Sequence, residues 1–336
     1  MIQTLLSLAV GVLPVLAFLA ALLAFESYKL VRLRMVMATI ALGAAVAAIC
    51  YFANGALIGV LDLPMATYSR YAGPLVEELA KGLVLMMLIR AHRIGFLVDA
   101  AIVGFALGAG FAVVENVYYQ TLVPDAGLGT WIVRGFGTAL MHGGVAAIFA
   151  MLGLALRDRA GKNAVWVFLP GLMAAVALHA TYNQLLASPR LATIAVLVVL
   201  PPLLYLVFRR SEAAVGEWLG RGFDRNAEMI ELIDSGELSA APMGRYLATL
   251  RARFEGAVAA DLLCYLRVHT ELAMRAKGVL MMREAGFEVP IDADTRARLA
   301  ELAYLEKSIG RTGLLAVRPL VASNQRDLWQ LGLLRG

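Results

Sequence analysis

Along the first two thirds of the chain, long apolar runs alternate with short polar breaks; along the last third, apolar residues recur three and four apart. Seven runs stand out, at residues 4–25, 35–60, 73–89, 96–119, 131–156, 164–186 and 191–208. About 20 apolar residues in a helix cross the roughly 30 Å of bilayer hydrocarbon, so each run predicts a span. The third is short, and residues 61–72 read as an interfacial segment leading into it. After Phe208 the pattern becomes that of helices with one apolar face. Residues 228–233 show it, as do Leu262, Leu263 and Leu266 followed by Leu272, Ala273 and Ala276, and then residues 295–302. Ser235-Gly236 and Val289-Pro290 read as breaks. The prediction is an all-α protein: a polytopic membrane helix bundle of about seven spans over residues 1–208, then a soluble α-helical domain over 209–336.

Charge sharpens that division. Asp, Glu, Lys and Arg number 20 in residues 1–208 and 35 in 209–336. With 60% hydrophobic residues and a mean hydropathy of +0.74, the chain is too apolar for an ordinary soluble protein. The net charge of +5 does not point to nucleic acid, because residues 209–336 are nearly balanced at 18 basic and 17 acidic. Basic loops mark the cytoplasmic side of a membrane protein. Lys29, Arg32 and Arg34 follow the first run, Arg90 and Arg93 the third, Arg157, Arg159 and Lys162 the fifth, and Arg209 and Arg210 the seventh. The other loops offer little beyond Arg70, Arg134 and Arg190. This alternation predicts an N-terminus outside and a cytoplasmic C-terminal domain. Residues 1–24 have no Lys or Arg before the apolar core and read as an uncleaved first span. Cys50 and Cys264 fall in different domains and form no disulfide framework or zinc-like cluster.

The third run holds the chemistry of most interest. In Gly73-Pro74-Leu75-Val76-Glu77-Glu78-Leu79-Ala80-Lys81, three ionisable residues lie on one helical face. Each costs about 2.5–3.5 kcal/mol at a bilayer centre, so their presence is a functional-site hypothesis. The plainer reading is a helix start, with Pro74 in its first turn and acids near its N-terminus. Later runs add Phe111 with Glu115 and Asn116, then His142 beside Gly143 and Gly144, then His179 and Asn183 four apart. Singly, each could simply bond a neighbouring helix, and Asp99 reads as interfacial. His269, in the tail, reads as a surface or satisfied-core histidine. Gly104, Gly108 and Gly110 have the small-residue spacing that lets membrane helices approach closely.

By the predicted topology, the polar residues of four antiparallel spans all fall in the outer half of the membrane. Independent structural placements would scatter over both halves, so one shared site is expected. Apolar surroundings raise the proton affinity of a carboxylate and so make a base. On this reading Glu78 is the base, Glu77 shares its proton and pairs with Lys81, and Glu115 holds a water. His179 and Asn183 steady an oxyanion, and His142 completes the cage. In a zinc version, Glu78, His142 and His179 are the ligands.

Glu77-Glu78-x-x-Lys81, Phe111-x-x-x-Glu115-Asn116, His142 and His179-x-x-x-Asn183 resemble the motif series of the PrsW family of intramembrane proteases. That family is similar to the type II CAAX prenyl endopeptidases, which carry His where this chain has Glu115. The resemblance covers about residues 70–190. It implies a multi-pass protease of the bacterial inner membrane that cuts membrane-anchored proteins, the founding case acting on an anti-sigma factor. It also implies a need for Glu77, Glu78 and at least one of His142 and His179. PrsW proteins are classed as metalloproteases, whereas the CAAX relatives suggest a metal-free glutamate base.

Two other functions compete. Buried Glu, Lys and His also make proton relays in transporters, but no inverted repeat with paired broken helices is evident. A non-catalytic sensor whose tail binds a protein partner would account for the charges, though not for His179-x-x-x-Asn183.

Overall fold

The computed structural model describes residues 2–160, 164–184, 188–235, 242–251, 253–287, 289–321 and 325–335. They form helices joined by short connections, with no strand among the described residues. The chain divides into two compact units: Met1–Glu26 with Leu30–Ser211, and Ser27–Lys29 with Glu212–Gly336.

The first unit holds α1 (Ile2–Phe25), α2 (Leu33–Leu61), α3 (Gly73–Arg90), α4 (Leu97–Leu122), α5 (Ala139–Ala160), α6 (Leu169–Gln184) and the opening part of α7 (Pro189–Asp234). Six helical stretches are long and apolar enough to cross a membrane: Gln3–Phe25, Leu33–Leu61, Leu97–Leu122, Leu128–Arg159, Val165–Gln184 and Pro189–Asp234. The seventh expected span, α3, is not among them, since its 18 residues include Glu77, Glu78, Lys81 and Arg90. The sixth run was read to Leu186, but residues 185–187 lie outside the described residues.

Helix α4 is the centre of this unit. Every residue from Val98 to Ala112 is buried, as expected of a helix that is apolar all round. Its main neighbours are α5 and α2. A Cβ on Gly108 would fall on the carbonyl of His142, and one on Gly104 would fall on that of Ala146. Only glycine lets α4 and α5 approach this closely, which fixes where His142 sits. Asp99 is buried in the first turn of α4 and accepts from the backbone N–H of Gly95 (3.0 Å) and Phe96 (3.3 Å), so it caps the helix.

Two π-helical segments lead into the helices that carry the candidate residues. Tyr68–Ala72 follows the helical turn Met65–Thr67 and runs straight into α3. Pro74 is therefore inside a continuous helical path and does not start it. Proline lacks an N–H and its ring clashes with the carbonyl four residues back. A π-turn widens the helix at that point, and Gly73 N–H bonds the Tyr68 carbonyl five residues back. Within residues 61–72, expected to be an interfacial lead-in, Met65–Ala72 extend the helical path of α3 back to Met65. Glu77 then lies roughly 18 Å along it, at 1.5 Å per residue. The second π segment, Val133–Thr138, joins the turn Leu128–Ile132 to α5.

The second unit holds the rest of α7, α8 (Pro242–Arg251), α9 (Gly256–Glu284), α10 (Ala293–Val321) and α11 (Gln325–Gln330). Its core packs Leu262, Tyr265, Leu266 and Leu272 of α9 against Leu302, Leu305, Ile309 and Val317 of α10. Gly310 breaks α10 with φ 63° and ψ −176°. His269 is in this core, where burial pushes its pKa down to about 4. The buried Lys277 donates to Gln330 Oε1 (2.8 Å) and lies over the Trp218 ring.

Candidate active site

The site is built on α3, α4, α5 and α6. Glu78 and Lys81 are three apart on α3, and Lys81 Nζ donates to Glu78 Oε1 at 2.5 Å. The expected pairing of Lys81 with Glu77 is thus corrected. Both spacings suit one helical face, but the packed bundle turns Glu78 and Lys81 inward together. Neither is more than 2% exposed, and the same holds for His142 and His179. At that burial an isolated ion would be several kcal/mol unfavourable, so the pair is what makes both charges tolerable.

The two histidines stand edge to face, 4.7 Å between ring centroids. Lys81 Nζ lies 3.1 Å from His142 Nδ1. An ammonium can only donate, so Nδ1 is the acceptor and the proton of a neutral His142 sits on Nε2. From there it is donated to Glu115 Oε2 at 3.0 Å. His179 Nδ1 faces Glu78 Oε1 at 2.8 Å. A carboxylate can only accept, so Nδ1 carries the proton and the lone pair of Nε2 is left for the site. Phe111 forms one wall: Lys81 Nζ is 4.4 Å from its ring centroid and the His142 ring is 5.0 Å away.

Two residues that sequence reasoning passed over belong to this network. Arg134, an outer-loop charge by sequence, lies on the second π segment. It pairs with Glu115 Oε2 (3.2 Å), donates through Nε to Asn116 Oδ1 (2.7 Å) and lies 3.6 Å over the Tyr119 ring. Asn116 in turn donates to the Gly11 carbonyl (2.6 Å), which ties α4 to α1. Asn54, on α2, donates to Glu77 Oε1 (3.3 Å) and accepts from the Tyr68 hydroxyl (2.8 Å). A polar residue inside an apolar run was the available signal for Asn54.

Glu77, Glu78, Lys81, Phe111, Glu115, His142 and His179 are therefore gathered in one place, with Asn116 linked through Arg134. Asn183 is turned elsewhere: its amide donates to the Ser69 carbonyl at 2.9 Å, which holds the end of α6 to the first π segment.

Ligand atoms of Glu77, His142 and His179 lie within 4.8 Å of one another. This is the set a metal would use, with Glu77 in place of the expected Glu78. The reason is that Glu78 already holds Lys81 and His179. One carboxylate and two imidazoles are donors that zinc takes, at about 2.0–2.2 Å from the ion. A tetrahedral shell of that radius has donors roughly 3.4 Å apart, so zinc would need the set to contract and His142 Nδ1 to release Lys81. Glu78 behind His179 would be the outer carboxylate that orients a ligand imidazole.

A family description, PrsW family intramembrane metalloprotease, matches residues 31–207, just over half of the chain. No curated protein and no solved structure matches it. The match runs from α2 into the opening part of α7 and so takes in every residue of the cluster on α3–α6. The chain belongs to the PrsW family of intramembrane metalloproteases.

Proposed function

We propose that the protein cuts membrane-anchored proteins at a bond inside the membrane, with Glu77 as its reactive carboxylate. The observation that carries this is the distribution of charge. Glu78 is neutralised by Lys81 and Glu115 by Arg134. Among the described residues no cation pairs with Glu77, whose partner is the Asn54 amide. The roles first read for the two acids are exchanged: Glu77 reacts, and Glu78 orients His179.

Two proton acceptors, the Glu77 carboxylate and His179 Nε2, then face one space beside neutral His142. A water held between them gives up its proton as it attacks the scissile carbonyl, and the same group returns that proton to the leaving amine. Lys81, near that space, favours the negative charge that develops. A zinc ion held by Glu77, His142 and His179 would lower the proton affinity of bound water and polarise the carbonyl. Asn183 acts as a brace for α6 in place of the oxyanion role first read for it.

The reading includes seven crossings. Met65 to Arg90 is one helical path of roughly 39 Å at 1.5 Å per residue, enough for the hydrocarbon, and Glu78 and Lys81 within it are paired. It also includes a bacterial inner membrane, with the N-terminus outside and residues 209–336 cytoplasmic.

The test is proteolysis. Purified full-length protein in lipid nanodiscs is incubated with a panel of single-span substrates, beside His179→Ala, and the metal content of each sample is measured. Cleavage by the wild type and none by His179→Ala is expected. Equal cleavage by both, or cleavage by neither with any substrate, would reject the reading.

A further inference from the structure

We infer that Asn54 and Tyr68 are positioning residues that set the Glu77 carboxylate, Asn54 directly and Tyr68 through Asn54. The inference rests on the reading of Glu77 above.

The chemistry of the contacts leaves one arrangement. A carboxylate offers no donor, so the NH2 end of the Asn54 amide must face Glu77 Oε1, 3.3 Å away. The carbonyl end then faces Tyr68, and the phenol is the only donor between them, at 2.8 Å. Tyr68 is 3% exposed, so its hydroxyl has few alternatives in an apolar setting. The three residues therefore form a directed chain, Tyr68 to Asn54 to Glu77.

The placement of this chain matters as much as its direction. Tyr68 opens the π segment and Glu77 lies nine residues on, along the same helical path. Asn54 on α2 bridges the two points across the π-turn that Pro74 imposes. A helix widened at one turn could rotate its following residues. The bridge holds both sides of that turn against α2 and so fixes which way Glu77 faces. The second side of Glu77 stays open toward His142 and His179. Outer-shell partners of this kind are worth about 10–100-fold in metal affinity or activity.

The test uses the full-length protein in nanodiscs with a substrate it cleaves, and reads kcat, KM and the zinc dissociation constant by chelator competition. Tyr68→Phe removes one hydroxyl; Asn54→Asp keeps the shape but replaces the donor with a second acceptor. Each should lower kcat about 10-fold or more with KM within about 2-fold, and weaken zinc about 10-fold. Tyr68→Phe added to Asn54→Ala should change nothing further, because Tyr68 acts through Asn54. A merely structural role would instead give additive effects, and Asn54→Asp would be tolerated. Wild-type kcat and zinc affinity in Asn54→Asp and Tyr68→Phe, with Glu77→Gln inactive, would overturn this inference alone. An active Glu77→Gln would instead overturn the reading beneath it. Should Asn54→Ala fail to fold, Tyr68→Phe and Asn54→Asp still decide the matter.

Discussion

Lys81 has three neighbours that matter: the Glu78 carboxylate, the His142 ring nitrogen and the face of Phe111. Removing one member of a buried ion pair strands the other, which is destabilising by about 3–5 kcal/mol, whereas removing both is often neutral. Lys81→Met alone should therefore lower the Tm of the protein in detergent by several degrees. The double variant Glu78→Gln with Lys81→Met should recover most of that loss. A Tm for Lys81→Met equal to the wild type would show that the pair is not buried as described. Glu77, Glu78, Lys81, Glu115, His142 and His179 were legible in the sequence because each interrupts an apolar run. Their pairing was not: Glu77 and Glu78 stand four and three residues from Lys81, and both spacings put side chains in reach. Only the packing of α3 against its neighbours separates them. Arg134 was missed because it stands where a run begins, and Asn54 because an amide in an apolar helix carries no motif.

At the scale of elements, the site depends on how closely α4 and α5 lie. Gly108 presses on the carbonyl of the very residue, His142, whose ring joins Lys81 to Glu115. Gly108→Val would push α5 outward by at least part of an ångström and break that alignment. A cleavage rate at least 10-fold lower is expected, while Gly129→Ala, which meets no neighbouring atom, should behave as wild type. Unchanged cleavage by Gly108→Val would mean that the α4–α5 spacing does not set the site. The small-residue spacing of these glycines was readable in advance. The π segments were not, since Gly73-Pro74 has the composition of a helix start. What decides against a start is that the preceding residues, Met65 to Ala72, continue the helix.

For the whole molecule, α7 carries the chain from an apolar stretch into a charged one without a break, from Pro189 to Asp234. The change in composition placed the boundary after residue 208; by compactness it falls between Ser211 and Glu212, inside the helix. A change in composition does not reveal that a single helix passes through it. The proposed topology puts the C-terminus in the cytoplasm. A reporter active only outside the membrane, fused after Gly336, should give no signal, and a strong signal would contradict seven crossings with the N-terminus outside. The central claim is that Glu77, and not its neighbour, is the reacting acid of one buried site. Positioned acid–base groups are worth about 10²–10⁴-fold. The most direct test compares the cleavage rates of purified Glu77→Gln and of the charge-neutral double variant Glu78→Gln with Lys81→Met, both confirmed to be folded. The account expects background cleavage from Glu77→Gln and a reduced but measurable rate from the double variant. Activity in Glu77→Gln, with none in the double variant, would contradict it.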